Sequence, residues 1–212
     1  MKVCVANLFE DVNEGTELVV FPSIKPYMPA WEAKVFLERS CEYAKKNKVY
    51  LVTPIFYSNQ YLTTCLLSPD GKVAGLSYAC DLSSENRQEF IRALEQRPID
   101  TPLGRLLILT DIDVYNPAWV NSAVEKDCDL IISTQYIDPT DFSKERVLFG
   151  AWKASQQANR YVLNVSNKGC CVTVPCLYTP DSSNSGFESQ LTFETPFYTE
   201  FDPKRLRSEN NV

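Results

Sequence analysis

Histidine is missing from the chain altogether. That single absence removes Ser-His-Asp and Cys-His catalysis, two-histidine zinc sites and haem on a proximal histidine. A nucleophile in this protein must be activated by a carboxylate, a lysine, an amine or a metal. A surplus of basic charge is missing too: 21 Lys and Arg against 27 Asp and Glu leave a formal net charge of −6, and no Lys/Arg stripe gathers anywhere. Nucleic acids and anionic membrane surfaces need a basic face to release counterions or hold headgroups, so neither is expected as a partner. No apolar run approaches the ~20 residues of a membrane-spanning helix. The opening MKVCVANLFEDVNEG breaks into acidic residues too early for a signal-peptide core.

What is present describes an ordinary globular chain. The 212 residues are 44% hydrophobic and 12% aromatic, enough for one sizeable core, and no linker or composition break divides them, so one domain over 1–212 is expected. The eight cysteines come without a secretory leader and read as reduced thiols of a cytoplasmic protein. Cys4, Cys65, Cys128 and Cys176 lie in or beside apolar runs, where a thiol behaves as a small hydrophobe. Cys170-Cys171 with Cys176 lacks metal-ligand spacing, so no zinc site is expected.

Strand-like runs alternate with amphipathic segments, the pattern of an α/β fold. Strands are expected at Lys2–Ala6, Glu17–Phe21, Val49–Thr53, Tyr61–Leu67, Lys72–Tyr78, Arg105–Thr110, Asp129–Ser133, Tyr161–Val165 and Cys171–Leu177. Helices are expected at Trp31–Lys46, Glu85–Gln96, Pro117–Lys126 and Ser143–Arg160, the last with a stripe of small residues at Val147, Ala151, Ala154 and Ala158 suited to close packing. Ser68-Pro-Asp-Gly71 is a turn, because Pro presets the first central angle and Gly accepts a positive φ. The stretch 179–212, rich in serine and closing on Ser-Glu-Asn-Asn-Val, reads as a loop-rich C-terminal segment.

Residues 101–119, TPLGRLLILTDIDVYNPAW, form a turn, a buried strand, two carboxylates and then Asn116-Pro117. Asn is a favoured N-cap and Pro a favoured first helical residue. A side chain between such a strand and its helix stands where many α/β enzymes hold a nucleophile, and Asp111 occupies that place. Here the chain resembles the nitrilase superfamily of carbon–nitrogen hydrolases. Gly104, Asp113 and Pro117 keep the family's spacing around the nucleophilic cysteine, whose position falls on Asp111. Leu18-Val-Val-Phe-Pro-Ser23 is similar to the strand that ends in the family's general-base glutamate, which falls on Ser23. In Ser68–Leu82, Pro69, Asp70, Gly71, Gly75 and Leu82 match the block that ends in the catalytic lysine, which falls on Ala79, and in a histidine, which falls on Asp81. Ala158-Asn159, Tyr161–Val165, Asn167-Lys-Gly169 and Phe201–Arg207 extend the resemblance over nearly the whole chain. It departs where the first helix is shortened to Asn7–Thr16.

The resemblance implies a four-layer αββα sandwich and no cofactor. It explains why the missing histidine excludes little, since the family works with Glu, Lys and Cys. It also implies a triad lost at all three positions: a serine is no base near neutral pH, an alanine carries no charge, and a carboxylate is a weak nucleophile. Removing one member of a catalytic unit costs on the order of 10⁴–10⁶ in rate. The expectation is a catalytically silent protein that acts by binding a small amide or amine ligand or a partner. As the family does, it would form a dimer or other homo-oligomer, or pair with a homologue. The alternative is a hydrolase of non-peptide C–N bonds with an altered site. Asp81, Glu85, Asp113 and Tyr115 are the candidate pocket residues; by the resemblance either Glu85 or Glu89 stands for the family's second glutamate, the other reading being a solvated carboxylate on an exposed helix face. Asp81, Asp111 and Asp113 together admit a third reading, a Mg²⁺ or Ca²⁺ site, against which stands their simple packing or solvation. Cys80 adjoins the lost lysine, yet strand alternation turns it away from the residue at 79. Tyr57, Tyr61, Trp119 and Trp152 line either a pocket or the core.

Overall fold

A computed structural model describes residues 1–83, 86–141, 144–175, 190–204 and 206. In chain order its elements are β1 (Lys2–Val5), β2 (Leu18–Val20), α1 (Ala30–Asn47), β3 (Tyr50–Val52), β4 (Phe56–Ser58), β5 (Tyr61–Leu67), β6 (Val73–Tyr78), β7 (Ile99–Thr101) and β8 (Gly104–Thr110). There follow α2 (Pro117–Glu125), β9 (Leu130–Gln135), α3 (Lys144–Ala158), β10 (Tyr161–Ser166), β11 (Gly169–Thr173), β12 (Gln190–Thr192) and β13 (Phe197–Glu200). Among the described residues the strands make a seven-stranded sheet, ordered β13-β1-β2-β3-β5-β4 with β6 on β5, and a six-stranded sheet, β12-β11-β10-β9-β8-β7. In each sheet the three adjacent strands at its centre, β1-β2-β3 and β8-β9-β10, run parallel; α1 connects β2 to β3, α2 connects β8 to β9 and α3 connects β9 to β10, the long crossovers that parallel neighbours require, while β1 reaches β2 through a segment with only a 3-10 turn.

The layers follow from which residues each strand turns inward. Val5, Val20, Val52 and Leu66 of the first sheet meet Ile108, Ile132 and Leu163 of the second in a buried interior. On the far side of the first sheet, Val19, Leu51, Cys65 and Leu67 pack under α1 with Ala33 and Ala44. On the far side of the second, Leu107, Ile131 and Val162 pack under α2 and α3 through Val120, Ala123, Ala151, Ala154 and Ala158. The α/β chain is thus an αββα sandwich, and the small-residue stripe of α3 is buried as its spacing implies. Polar cross-ties also join the sheets. Thr64 Oγ1 of β5 and Thr134 Oγ1 of β9 are 3.0 Å apart, and Ser77 Oγ of β6 donates to Ile108 O of β8 at 2.6 Å.

The turn at 68–71 forms as expected: Gly71 N–H donates to Ser68 O at 2.8 Å with Gly71 at φ +77°. A Cβ on Gly71 would also stand 2.6 Å from Cys41 O of α1. The shortened segment 7–16 contains a 3-10 turn at Phe9–Asp11, and Phe9 stacks on Phe36 and meets Phe21 at a tilt. The helix expected over Glu85–Gln96 is corrected in its described part, which has only a 3-10 turn at Asn86–Gln88. The reason is tertiary: Ile91 N–H donates to Gln60 O at 2.8 Å and Ala93 N–H to Ala79 O at 2.9 Å. The backbone is therefore laid along strand ends instead of coiling on itself, and Leu94 is 92% exposed. The described part of 179–212 contains β12 and β13, the latter closing the first sheet against β1. No described helix is long and apolar enough to cross a membrane.

Ser40 of α1 is fully buried, and its hydroxyl has no hydrogen-bond partner among the described residues. An unsatisfied buried hydroxyl costs stability, and alanine is the better helix former. Ser40→Ala should therefore stabilise the fold by about 1 kcal/mol, a rise of roughly 2–4 °C in Tm for a domain of this size, measured by calorimetry.

Candidate functional site

Three strand ends carry the positions that matter. Beyond β2, Ser23 is buried, and its Oγ accepts the Ile55 N–H at 2.8 Å. One residue past β6, Ala79 is fully buried in an apolar cluster with Ile55, Leu62, Leu82 and Phe90. Directly after β8, Asp111 begins a 3-10 turn (Asp111–Tyr115) with φ +59°. Non-glycine residues rarely adopt this left-handed conformation, and aspartate is among those that do so most readily. The geometry is a strand-to-turn elbow that presents one side chain, 7% exposed. Among the described residues no hydrogen bond joins Ser23 to Asp111.

Two residues further on, Asp113 is wholly buried. Cys80 N–H donates to both of its oxygens at 3.1 and 3.0 Å, Asp81 N–H donates to Oδ1 at 2.6 Å, and Gln96 Nε2 donates to Oδ2. Burial pushes the Asp113 carboxyl up to about 8; the backbone donors oppose that rise and the carboxylates of Asp81 and Asp111 add to it. Asp81 is half-buried, and its Oδ2 accepts from Asn116 Nδ2 at 2.6 Å and Trp119 Nε1 at 2.8 Å. Asn116 is the expected N-cap of α2, its Oδ1 accepting the Ala118 N–H at 3.0 Å, with Pro117 at the first helical position. Tyr115 donates to Gln135 Oε1 at 2.8 Å, and Gln135 Nε2 donates to Asn164 Oδ1 at 2.6 Å. Gly150 of α3 makes room for the Tyr115 ring, into which a Cβ would collide.

The structure thus brings Asp81, Asp111 and Asp113 together around the end of β6 and the elbow. Glu85 lies outside the described residues. Glu89 accepts from Tyr27 Oη at 2.9 Å. Tyr57 packs on the Ala79 cluster, Tyr61 packs at a tilt against Tyr78, Trp119 packs with α2 and α3, and Trp152 is half-buried. The donors around Asp113 present positive dipole ends to its oxygens, the opposite of what a cation needs, and no metal-holding group of three or more His, Cys, Asp or Glu occurs among the described residues. Cys4, Cys41, Cys65, Cys80, Cys170 and Cys171 carry free thiols, and Cys176 lies outside the described residues. Burial pushes the thiols of Cys65, Cys80, Cys170 and Cys171 up to about 12 and Cys4 to about 11, far from the thiolate a nucleophile requires. Sequence reasoning missed Gln96, which is 1% exposed. Glutamine is ordinarily a surface residue, and nothing local distinguishes this one.

No family model and no curated protein sequence matches the chain. Among solved structures it is similar to a cysteine-to-alanine mutant of the Nesterenkonia AN1 amidase from the nitrilase superfamily. The identity is 13%, over 100% of this chain and 96% of that one, with a TM-score of 0.75. The fold is nitrilase-like. NitN amidase from Nesterenkonia sp. AN1 gives 14% identity over 100% and 98% of the two chains at TM-score 0.75. A mutant amidase from the same source, with the acetamide moiety of fluoroacetamide added covalently at its active-site cysteine, gives 14% over 82% and 83% at TM-score 0.69. Identities this low speak for the nitrilase-like architecture, and the chemistry must be read from this chain's own residues.

The buried carboxyl generates a stability prediction with a definite sign. Between the ordinary aspartate value near 4 and its folded value of about 8, Asp113 holds a proton in the folded state and has lost it in the unfolded one. Its contribution is full below the lower value and is lost as pH rises towards 8. Urea unfolding from pH 5 to pH 8 should show wild-type stability falling relative to Asp113→Asn by a few kcal/mol. The Asn variant starts less stable at pH 5, because its amide sets N–H groups against N–H donors.

Proposed function

We propose that this nitrilase-fold protein does not run the cysteine-based hydrolysis of the family it resembles, and acts by binding a small ligand or a protein partner. The observation that carries this reading is the fate of the three strand-end positions: a serine hydroxyl held on the Ile55 N–H, a methyl group sealed among apolar side chains, and a carboxylate at the elbow. None supplies a thiolate, a base matched to neutral pH or a cation for a developing oxyanion. No described cysteine replaces the nucleophile. Cys80, beside the former lysine position, gives its N–H to Asp113 and keeps its own proton. The reading includes self-association or pairing with a homologue, for which sedimentation at micromolar concentration is the direct test.

One observation favours the second reading, an altered C–N hydrolase: the elbow keeps its left-handed φ, the conformation that presents a side chain to a substrate, and the solved structures most like this fold are amidases. A panel of short amides and nitriles, followed by ammonia release, separates the two. The first reading expects no release above buffer, with wild type and Asp111→Ala indistinguishable. Turnover abolished by Asp111→Ala would establish the second.

The thiols provide an independent check. Native-state alkylation with iodoacetamide, mapped by mass spectrometry, should leave Cys4, Cys65, Cys80, Cys170 and Cys171 unmodified at neutral pH and label them fully once urea unfolds the chain.

A further inference from the structure

A groove of about 690 Å³ runs between α1 and β4, and none of Ser23, Ala79 and Asp111 lines it. On the helix side Ala33, Leu37 and Cys41, spaced by four, make an apolar wall, and Lys34, Glu38 and Glu42, also spaced by four, make a charged rim. Like charges at i and i+4 repel one another. Among the described residues no side-chain ion pair or hydrogen bond engages Lys34, Glu38 or Glu42. On the other side the groove is closed by Tyr57, Ser58 and Asn59. Ser58 pairs with Tyr61 across a two-residue turn, Asn59 at φ +49° and Gln60 at φ +70°. The edge of β4 along this groove is only partly used. Met28 N–H donates to Ile55 O and Tyr57 N–H to Met28 O, both at 2.9 Å, a parallel pairing of Met28 with Phe56. The chain then leaves this ladder to enter α1 at Ala30. The N–H and C=O of one strand residue point the same way, so Tyr57 O faces the same edge as its N–H. The next acceptor and donor in the ladder, Tyr57 O and Asn59 N–H, have no partner among the described residues.

We propose that this groove takes an extended segment of a partner protein, four or five residues long and carrying Lys or Arg, laid beside β4 as an added parallel strand. Each part follows from a named feature. The ladder that Met28 begins is continued by one residue of the segment, which donates its N–H to Tyr57 O and accepts from Asn59 N–H. Positive charge is called for because two unpaired carboxylates, Glu38 and Glu42, face one ammonium, Lys34, along the rim. A second copy of this chain, with a formal net charge of −6, is the poorer match to such a rim. Length and volume agree on the size. The lining runs from Ala30 to Glu42, about 18 Å of helix and the reach of about five extended residues. At strand and sheet spacings an extended residue fills roughly 160 Å³, so the groove holds between four and five. The site rests on the partner-binding reading above and gives it a location.

The test is a protein-observed ¹H–¹⁵N NMR titration with the peptide acetyl-Val-Lys-Val-Lys-Val-amide. Two comparison peptides accompany it, one with Glu in place of both Lys and one with its central amide N-methylated. Saturable shifts at the amides of Ser58, Asn59 and Leu37 are expected with the Lys peptide. The Glu peptide should bind at least tenfold more weakly. N-methylation should weaken binding about tenfold, the factor that corresponds to one lost hydrogen bond. The double variant Glu38→Gln/Glu42→Gln, two exposed substitutions whose folding the melting temperature records, should weaken the Lys peptide about fivefold. No saturable shift with the Lys peptide, a Glu peptide that binds as tightly, or unchanged affinity in the folded double variant would each overturn the site. An N-methylated peptide that binds as tightly as its parent would reduce the groove to a patch for any cation and overturn the added strand. Shifts at Ser58 and Asn59 that follow protein concentration without peptide would assign the groove to a second copy and overturn the partner segment. Ammonia release abolished by Asp111→Ala would instead overturn the silent-triad reading, so the two failures are distinguishable.

Discussion

A single buried carboxylate holds the ends of three segments in register. Asp113, at the elbow after β8, accepts from the backbone of Cys80 and Asp81 beyond β6 and from the side chain of Gln96. A polar group in a low-dielectric interior is tolerable only where hydrogen-bond partners surround it, and here the partners come from separate segments of the chain. Lys126, just past α2, donates to Gln96 O, and Asp81 reaches in turn to Asn116 and Trp119 of α2. The first sheet, the second sheet and one covering helix are therefore tied at one end by a chain of polar contacts. The apolar interior between the sheets is non-directional and would not by itself decide that alignment.

The regular architecture was largely legible from the residues. Short β-branched runs became strands because each buries alternate side chains between two layers. The 3.6-residue spacing of Ala151, Ala154 and Ala158 became a buried helix face because small side chains let α3 lie close on its sheet. Asn116-Pro117 started α2 where capping chemistry says it should. The failures share a cause. Residues 86–96 carry helical periodicity, yet their backbone groups are claimed by Gln60 and Ala79, and tertiary hydrogen bonding overrides a weak local preference. β4, β7, β12 and β13 are three- and four-residue strands whose pairing, not their composition, makes them strands.

At the site, the residue types were readable and their engagement was not. Ser23, Ala79 and Asp111 could be placed by their flanking blocks, but that Ser23 is held by Ile55 N–H, or that Asp81 caps a neighbouring helix side chain and not a ligand, depends on contacts 32 and 35 residues apart in sequence. Asp113 was expected to pack or cap. Its burial is more complete than such a role demands, and its proton affinity follows from that burial.

The elbow itself has a physical account that does not pass through catalysis. A left-handed residue costs roughly 1–2 kcal/mol for most side chains, which by itself favours straightening the chain here. The turn at Asp111 is nonetheless what swings Asp113 inward to meet Cys80 and Asp81, and what leaves Asn116 in place to cap α2. Straightening it would strand a buried carboxyl and unfasten a helix, at a cost of several buried hydrogen bonds, each worth about 0.5–1.5 kcal/mol. Aspartate at 111 relaxes part of the strain because it tolerates positive φ better than most residues. The elbow of this fold is thus maintained by the structure built on its far side, which leaves position 111 open to residues chosen for backbone fit as much as for chemistry.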